Sequence, residues 1–386
     1  MKIRSAILLG GAKNNCGDFL IVDRARRLFA HFLPEVDVSV LDRTKPFNDS
    51  DFERMANADL VVLAGGPLIR GNCAESLHLA DAAVDGRLAG MDAPFVIMGG
   101  GAKPPEPFMP AQLKMSEPTR RLFEKVESAP FYSGTRDFES LVMLRNAGFG
   151  NFGFTGCPAL YALPPPESMF RPFSLSNVRK VVFSCGAPGG MCEDAIRQHL
   201  DVLASIRKAL PQAELVVAFH HAVEEPELQN LFGERSPLGW QELVARIKAA
   251  GVRVADVSGG LDRMLALYAS ADLHVGYRVH AHVLMTSWRK PSLLIAEDGR
   301  GSGMADIISG KVLRAWESRR RPRGLAGRIF AKKVELKKVY CGDMGEQVVG
   351  ELERCSREGK PLNEERPIVK ANPMKTWFAQ FAERRS

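Results

Sequence analysis

Short apolar segments alternate with longer helical patterns through most of this chain, and that alternation constrains the fold more than any other feature of the sequence. In the first half, apolar runs of strand length occupy residues 5–9, 36–41, 60–64, 95–98, 131–133 and 152–155. Helical patterns lie between them, notably over residues 18–32, 118–127 and 137–147. Repeated strand and helix units of this kind predict a parallel sheet covered on both faces, with ligands bound outside the carboxyl ends of the strands.

The second half of the chain repeats this pattern. Predicted strands occupy residues 180–184, 214–219, 252–257, 272–275 and 292–296, and predicted helices cover residues 193–210, 240–250 and 261–270. Between the halves, residues 157–177 contain five prolines, at positions 158, 164, 165, 166 and 172. Helices and central strands both reject proline at that density, so this segment is predicted to be a linker.

The length of the chain supports a division into two domains, because 386 residues exceed what one ordinary core accommodates. We expect an α/β protein with two Rossmann-like, doubly wound domains that face a cleft, over residues 1–160 and 178–310. The linker covers residues 161–177, and residues 311–386 form a basic tail. Within that tail a helical pattern over residues 374–384 is expected to pack back on the body through three aromatic residues, Trp377, Phe378 and Phe381.

Composition and cysteine usage exclude several classes of protein. With 45% hydrophobic and 25% charged residues, the chain has the composition of a soluble globular enzyme. No stretch approaches the ~20 apolar residues of a membrane span, and the apolar run in residues 1–11 is too short for a signal peptide, so it is predicted to form the first buried strand. Seven scattered cysteines form neither a paired framework nor a C-x-x-C metal knuckle, which indicates the reducing cytoplasm.

The net charge of +7 is concentrated in part between Arg319 and Lys333, a stretch that contains no acidic residue. Interleaved apolar residues would allow this stretch to rest on an anionic membrane surface or against a polyanionic substrate, and a solvated surface loop is the alternative. A peripheral position on the cytoplasmic face of the membrane is therefore one expectation. Nucleic acid is not expected as a partner, because no recognition motif or aromatic platform accompanies the charge.

Residues 276–282, reading Gly-Tyr-Arg-Val-His-Ala-His, place a permanent cation and two imidazoles where a strand should end and a helix should begin. Backbone N–H groups at a helix N-terminus, together with Arg278, would hold a phosphate or carboxylate. His280 or His282 could then move a proton to that anion. Arg278 and His282 are four residues apart and share one face of a helix, and we expect one histidine to act in catalysis and the other to support it.

Three glycine-containing turns are predicted at strand ends in the first half. They follow the first, third and fourth predicted strands, where glycine permits close approach of a ligand to the backbone. None of them matches a dinucleotide fingerprint or a Walker loop. The candidate substrate-binding residues in these turns are Asn15, Gly17, Asp18, Gly65, Gly66 and Gly100.

Arg136 opens a predicted helix of the first half, where a cation opposes the helix dipole. A ligand anion is therefore its expected partner. The neighbouring Asp137 is expected to cap that helix.

Other polar residues end predicted strands of the second half and should also face the cleft. His220 and His221 follow the strand predicted over residues 214–219. Glu297 and Arg300 follow the strand predicted over residues 292–296, where they would bind sugar hydroxyls or simply cap the turn.

Three of these segments resemble motifs of the polysaccharide pyruvyl transferases, over most of the chain to about residue 310. The resemblance rests on residues 15–18 (Asn-Cys-Gly-Asp), 135–140 (Thr-Arg-Asp-Phe-Glu-Ser) and 276–281 (Gly-Tyr-Arg-Val-His-Ala), the last preceded by Ala-Ser-Ala-Asp at 269–272. It implies a fold similar to the GT-B glycosyltransferase architecture. It also implies transfer of pyruvate from phosphoenolpyruvate to two hydroxyls of a sugar, as a cyclic ketal, in cell-surface or exopolysaccharide biosynthesis.

The implied chemistry agrees with the residues. Phosphoenolpyruvate, as the co-substrate, carries a phosphate and a carboxylate within a few atoms and needs fixed cations, which Arg278 and Arg136 would supply. His280 is the first choice for the proton carrier and His282 the second. No other cofactor is implied, and the saccharide acceptor is either free or lipid-linked.

Two other functions compete with this one. A nucleotide-sugar glycosyltransferase of the retaining GT-B type usually carries glutamates in the region between Leu273 and Ala296, and no carboxylate occurs there. A non-catalytic cytosolic protein that binds a sugar or an anion is the other alternative. No metal site is predicted, because the chain has no H-E-x-x-H motif and no third ligand at recognisable spacing from the two histidines.

Overall fold

A computed structural model describes residues 2–11, 15–104, 112–167, 169–223, 238–320 and 336–382. The first domain contains a six-stranded sheet in which every neighbouring pair is parallel. Its strands are β1 (Ser5–Gly10), β2 (Asp37–Asp42), β3 (Leu60–Ile69), β4 (Phe95–Ala102), β5 (Ser133–Thr135) and β6 (Phe152–Phe154), in the spatial order β2-β1-β3-β4-β5-β6.

Helices connect these strands and cover both faces of the sheet. They are α1 (Cys16–Phe32), α2 (Asp49–Ala56), α3 (Cys73–Ser76), α4 (Ala80–Val84), α5 (Glu117–Glu127) and α6 (Phe138–Asn146). The start of α1 is fixed by Asn15, whose side chain accepts a hydrogen bond from the backbone of Gly17. Its buried stripe includes Leu20 and Ile21, at the spacing expected of an amphipathic helix.

The second domain contains another parallel six-stranded sheet. Its strands are β7 (Lys180–Ser184), β8 (Glu214–Phe219), β9 (Arg253–Asp256), β10 (Leu273–Gly276), β11 (Ser292–Ala296) and, after the short β12 (Ile308–Ser309), β13 (Val312–Arg314). The helices are α7 (Glu193–Ala209), α8 (Leu238–Ala249), α9 (Leu261–Ala269), α10 (Val279–Ser287) and α11 (Gly299–Ala305). The spatial order is β13-β11-β10-β7-β8-β9.

These strand orders confirm the predicted fold class, two Rossmann-like doubly wound domains facing a cleft as in the GT-B architecture. Counted from its first strand, the second sheet has the Rossmann order 3-2-1-4-5-6, and the first sheet has the related order 2-1-3-4-5 with a sixth strand added. The order reverses between β1 and β3 in the first domain and between β7 and β10 in the second. Ligands of doubly wound sheets bind in the crevice at such points.

The segment after residue 310 is more than a tail. It contributes β13 to the second sheet, where that strand pairs with β11, so the domain boundary expected at residue 310 is too early. A run of three residues is too short for its apolar pattern to mark a strand. The later elements are β14 (Trp316–Arg320), β15 (Leu336–Tyr340), α12 (Met344–Glu358), β16 (Glu364–Glu365), α13 (Pro367–Lys370) and α14 (Pro373–Ala382).

The helix α12 packs against α7 in the second domain, whereas α14 returns to the first domain. There Phe378 lies 5.0 Å from Phe29 and Phe381 lies 4.7 Å from Phe131, measured between ring centroids. The indole N–H of Trp377 donates to the carbonyl of Tyr132. Burial of side chains this large contributes roughly 1.5–3 kcal/mol each, so α14 ties the end of the chain firmly to the first domain.

Most of the basic stretch lies outside the described residues. Only Arg319 and Arg320 fall within them, in β14, while residues 321–335 do not. No helix in the described part of the chain combines the length and the apolar character needed to cross a membrane.

The glycines expected in turns after the third and fourth strands lie inside strands. Both β3 and β4 continue beyond their predicted ends, and Gly66 pairs with Gly100 in the register between them. Gly65 and Gly66 have φ angles of +56° and +83°, a backbone conformation that residues with a side chain rarely adopt. They lie at an irregularity in the register of β3. The apolar run ends at Ala64, which is why its pattern predicted a shorter strand.

The two domains share an apolar contact. Cys16 and Leu20 at the start of α1 belong to one buried cluster with Tyr268 of α9 and Ala281 of α10. A backbone hydrogen bond from Gly299 to Pro104 joins the start of α11 to the end of β4 at a distance of 3.0 Å. The carboxyl ends of the two sheets are therefore held close together.

Candidate functional site

The candidate site lies where the reversal points of the two sheets meet. On the second domain it begins at Gly276, whose Cα approaches β7 so closely that an added Cβ would lie 2.6 Å from the backbone nitrogen of Ser184. The N–H of Tyr277 donates to the Ser184 carbonyl, and the N–H of Arg278 donates to its hydroxyl at 3.1 Å. These bonds fix the backbone of Arg278 directly before α10.

Arg278 is 9% exposed and caps no helix with its side chain. Within the described residues its guanidinium forms neither a salt bridge nor a side-chain hydrogen bond. Burial lowers the pKa of Arg278, and the nearby carboxylate of Glu297 opposes that shift. A buried guanidinium with free donors beside a helix N-terminus is suited to bind an anion.

His280 occupies the first turn of α10 and lies against the other domain. A Cβ built on Gly17 would overlap its Nδ1, so the backbone of α1 touches the imidazole. Burial lowers the pKa of His280 to about 3, and Arg300, Arg136 and Arg278 add to the shift. In the protein alone this imidazole is neutral at pH 7 and can accept a proton.

His282 has a different environment, since its side chain is 3% exposed within the second domain. Its Nδ1 lies 2.7 Å from the hydroxyl of Ser292, which also lies 2.7 Å from Nδ1 of His274. This series of hydrogen bonds continues from Nε2 of His274 to the hydroxyl of Ser184, which accepts from the backbone N–H of Arg278. Burial lowers the pKa of His282 to about 3, and its Nε2 has no hydrogen-bond partner among the described residues.

Arg136 lies at the first-domain side of the site, before α6. Its Nε donates to Asp137 at 2.8 Å, and its terminal nitrogen donates to the Ala102 carbonyl at 2.9 Å. Gly101 leaves room for this guanidinium, because a Cβ there would overlap it. Asp137 also accepts from the N–H of Ser140, which confirms the predicted helix cap. Arg136 thus has a carboxylate partner within the chain and still contributes to the field at His280.

Glu297, Asp298 and Arg300 stand at the start of α11. The carboxylate of Glu297 accepts from the backbone N–H of Ala187 at 3.1 Å, and burial raises its pKa to about 7. Asp298 caps α11 and pairs with Arg300 at 2.8 Å. Burial alone would raise the pKa of Asp298, but Arg300 holds it below its ordinary value.

Asn15 and Asp18 bring the start of α1 to the same site. The amide of Asn15 donates to Asp18 at 2.8 Å. Burial raises the pKa of Asp18, although Arg43, Asn15, Arg300 and Arg278 oppose that shift. Asp18 is therefore subject to the charges of Arg43 in the first domain and of Arg300 and Arg278 in the second.

His220 lies behind Arg278, at the end of β8. Its Nε2 is 2.7 Å from the hydroxyl of Tyr268, and its side chain is buried. Burial lowers the pKa of His220 well below its ordinary value, and Arg278 is the next contributor. His221 follows it in the chain and is half-buried.

The structure brings most of the predicted residues together but not all of them. Three positive charges act on His280: those of Arg300 and Arg278 in the second domain and that of Arg136 in the first. Gly65 and Gly100 are instead buried beneath apolar side chains, and Gly66 lies beneath the Arg43 guanidinium, so the protein itself fills the space expected for a ligand. In the described part of the chain, no group of three or more His, Cys, Asp or Glu side chains is arranged to hold a metal ion.

Sequence reasoning missed three residues that the fold adds to the site. Lys103 extends from the end of β4, and Arg300 lowers its pKa, with burial as the second cause. Tyr268 and Ser184 position His220 and Arg278 through their hydroxyls. Lys103 alone had a sequence signal, because it follows a predicted strand.

Comparisons with known structures find similarities at low sequence identity. The UDP-GlcNAc 2-epimerase of Neisseria meningitidis bound to UDP-GlcNAc has a TM-score of 0.49 and 12% identity, with 98% of each chain covered. The UDP-GlcNAc 2-epimerase of Methanocaldococcus jannaschii in complex with UDP-GlcNAc and UDP has a TM-score of 0.46 and 12% identity, covering 92% of this chain and 100% of that one. The wall teichoic acid polymerase TagF has a TM-score of 0.44 and 11% identity, covering 99% and 89%.

A search of curated proteins finds no sequence that matches this chain. The family model described as polysaccharide pyruvyl transferase, by contrast, matches residues 15–299. That match begins at the cap of α1, ends at the first residue of α11 and includes Arg136, Arg278 and His280. Because it covers well over half of the chain, the protein belongs to the polysaccharide pyruvyl transferase family.

Proposed function

We propose that this protein transfers pyruvate from phosphoenolpyruvate to two hydroxyls of a saccharide, as a cyclic ketal, in the synthesis of a cell-surface or exported polysaccharide. The observation that carries the proposal is the field of Arg136, Arg278 and Arg300 around a neutral histidine. Family membership supports the transferase class. No further cofactor is required by this chemistry.

The arginines suit the donor because phosphoenolpyruvate carries its phosphate and its carboxylate within a few atoms. Arg278 offers free donors at the start of α10, and Arg300 stands at the start of α11. Helix N-termini add partial positive charge at the same place. Two anionic groups on one small molecule can therefore be held by fixed cations that need little reorganisation.

The donor also changes the proton affinity of His280. Burial, together with the three arginines, holds the pKa of this imidazole at about 3 in the protein alone. A bound trianion offsets the arginine charges and raises that pKa, because a nearby negative charge favours the imidazolium. Binding of phosphoenolpyruvate would thus favour the protonated form of His280, which is the acid that the reaction needs.

The reaction then follows from that proton. Protonation of the methylene carbon makes the neighbouring carbon electrophilic, and a sugar hydroxyl adds to it and loses its proton. The bond from that carbon to the phosphate oxygen breaks, and the second hydroxyl closes the ketal and loses its proton. Of the two protons released, one balances the proton added to carbon and the other leaves on the phosphate. Asp18 follows Gly17, the residue that contacts His280, and would accept a hydroxyl proton.

Phosphate release from phosphoenolpyruvate, measured with a panel of saccharide acceptors, tests the proposal. Arg278→Ala and His280→Ala should each lower acceptor-dependent release by at least about 100-fold, in line with loss of a charge-stabilising donor or of a general acid. The matched control is Arg120→Ala, which removes an exposed arginine from α5. It should leave release unchanged.

Mass spectrometry of the acceptor provides the second readout, since a ketal adds pyruvate with loss of water. Release that persists in both variants would contradict the assigned site. Consumption of a nucleotide sugar in place of phosphoenolpyruvate would contradict the proposed donor.

A further inference from the structure

A cavity of about 360 Å³ opens in the first domain, with Asp18 and Arg43 in its walls. It lies at the ends of β1, β2 and β3. Its volume falls within the range of ordinary small-molecule sites. Its walls are formed by Gly11, Asp18, Arg43, Thr44, Pro67, Leu68, Arg70, Ser76, Leu77 and His78.

Arg43 is built into the wall of this cavity. It is 9% exposed, and its guanidinium donates to the carbonyl of Gly65 at 3.0 Å. A Cβ on Gly66 would lie 2.8 Å from the other terminal nitrogen, so the glycine irregularity in β3 makes the space in which this cation sits. Burial lowers the pKa of Arg43, and Asp18 opposes the shift. The fold thus buries a positive charge beside a cavity.

Arg70 supplies a second cation at the end of β3. Its Nε is buried and has no hydrogen-bond partner among the described residues. Arg70 lowers the pKa of Arg43, so the two guanidinium groups share one region of space. His78 stands at the exposed rim with a φ of +56°, a conformation that costs energy for a residue other than glycine.

The carboxylates near these arginines are mostly engaged elsewhere. Asp42 accepts from both the N–H and the hydroxyl of Thr44. Glu75 accepts from the hydroxyl of Thr119. Among the described residues, Asp18 is the acid that lines the cavity, and it also lies within the field of Arg300 and Arg278. The cavity therefore presents the guanidinium groups of Arg43 and Arg70 and the carboxylate of Asp18 to a ligand.

We propose that this cavity binds a phosphoryl group carried by the acceptor saccharide, held by Arg43 and Arg70 while sugar hydroxyls contact Asp18. The inference rests on the proposed function, since it concerns the acceptor of that reaction and places it against Asp18. A saccharide with a phosphoryl substituent matches a cavity lined by one carboxylate and two guanidinium groups. A neutral saccharide would offer no anion to these two cations, and Nε of Arg70 has no hydrogen-bond partner among the described residues.

Binding of inorganic pyrophosphate, measured by calorimetry, tests the site without turnover. Arg278→Ala removes the donor site, so that variant should retain one class of pyrophosphate site. Adding Arg70→Gln should weaken the remaining binding about 10- to 100-fold, as expected for loss of a charge-assisted contact. Adding Arg120→Ala to Arg278→Ala, in place of Arg70→Gln, should leave the affinity for pyrophosphate unchanged. Equal binding in the two double variants would overturn the cavity as an anion site.

Turnover then distinguishes a phosphoryl group on the acceptor from free phosphate. Pairs of acceptors are compared, each a monosaccharide 1-phosphate and the methyl glycoside of the same sugar, with phosphate release from phosphoenolpyruvate as the readout. Arg70→Gln should lower kcat/KM for the phosphorylated member about 10- to 100-fold and leave the methyl glycoside within about twofold.

Arg70→Gln could abolish pyrophosphate binding and yet leave unchanged the ratio of kcat/KM between the phosphorylated acceptor and its methyl glycoside. That outcome would show a site for free phosphate and overturn the acceptor assignment. Absence of release with every acceptor would instead contradict the proposed function, and the calorimetric result would still decide whether the cavity binds anions. Circular dichroism and the melting temperature of Arg70→Gln check that the variant is folded.

Discussion

The imidazole of His280 rests on the backbone of Gly17, and no side chain can be accommodated between them. A Cβ on Gly17 would overlap Nδ1, Cγ and Cβ of His280. Gly17 belongs to the first turn of α1 in the first domain, and His280 belongs to the first turn of α10 in the second. The proton carrier proposed for one domain is therefore positioned by the other, and its orientation depends on the cleft remaining closed at this contact.

Gly17→Ala should lower phosphoenolpyruvate turnover by about 100-fold, because the new methyl group displaces His280 or separates α1 from α10. The melting temperature should fall only slightly, since the helix tolerates alanine. Gly350→Ala is the matched control: Gly350 lies in α12, and an added Cβ meets no atom within 4 Å. It should gain about 0.5–1 kcal/mol of stability and keep full turnover. Full turnover in Gly17→Ala would show that the contact is dispensable.

His280 and His282 should separate catalysis from stability. His280→Gln removes the imidazole in the cleft and should lower kcat by about 10²- to 10⁴-fold with little change in melting temperature. His282→Gln weakens the buried chain through Ser292 and His274 and should cost about 1–3 kcal/mol of stability. Its kcat should stay within about tenfold. The reverse pattern, with kcat lost mainly in His282→Gln, would assign the proton to His282.

Strands with a clear apolar pattern were the part of the fold that could be predicted. The runs at residues 180–184 and 292–296 match β7 and β11 at both ends, because parallel strands buried on both faces are largely apolar. The bounds of other strands depend on which strand each one pairs with in the sheet. Strand β5 begins at Ser133 and ends at Thr135, two residues later than its apolar run suggests, because Gly100 of β4 pairs with Thr135.

The site was predictable where its residues follow one another in sequence. Arg278 and His280 are separated by one residue, and a strand end followed by a helix start gave them a common location. Arg43 and Lys103 come from the ends of β2 and β4, and only the strand order brings them near Asp18 and Arg300. Local patterns carry no information about such neighbours.

Asp137→Asn should test whether the ion pair with Arg136 is separable from the helix cap. Asparagine caps a helix as well as aspartate does, so α6 should persist. Loss of the charge beside a buried guanidinium should cost about 1.5–3 kcal/mol, as measured by urea unfolding.

Phosphoenolpyruvate should then raise the melting temperature of Asp137→Asn more than that of the parent protein, because Arg136 gains a partner from the donor. The control is Asp81→Asn, at the exposed start of α4, which should lose about 0.3–1 kcal/mol at most. An equal ligand effect in all three proteins would exclude Arg136 from the donor site.

Glu297 should give the enzyme a pH dependence near neutrality. Burial raises the pKa of this carboxyl to about 7, and the positive charge of Arg278 is the largest influence that opposes this rise. Below pH 7 the carboxyl is protonated and leaves Arg278 free for the donor anion; above pH 7 it is ionised and competes with that anion. The value of kcat/KM for phosphoenolpyruvate should therefore fall as the pH rises through about 7, since this parameter reports groups of the free enzyme. Glu297→Gln removes the charge at every pH and should abolish this fall, while ionisation of phosphoenolpyruvate itself affects both proteins equally. Profiles of the same shape in both proteins would show that another group titrates.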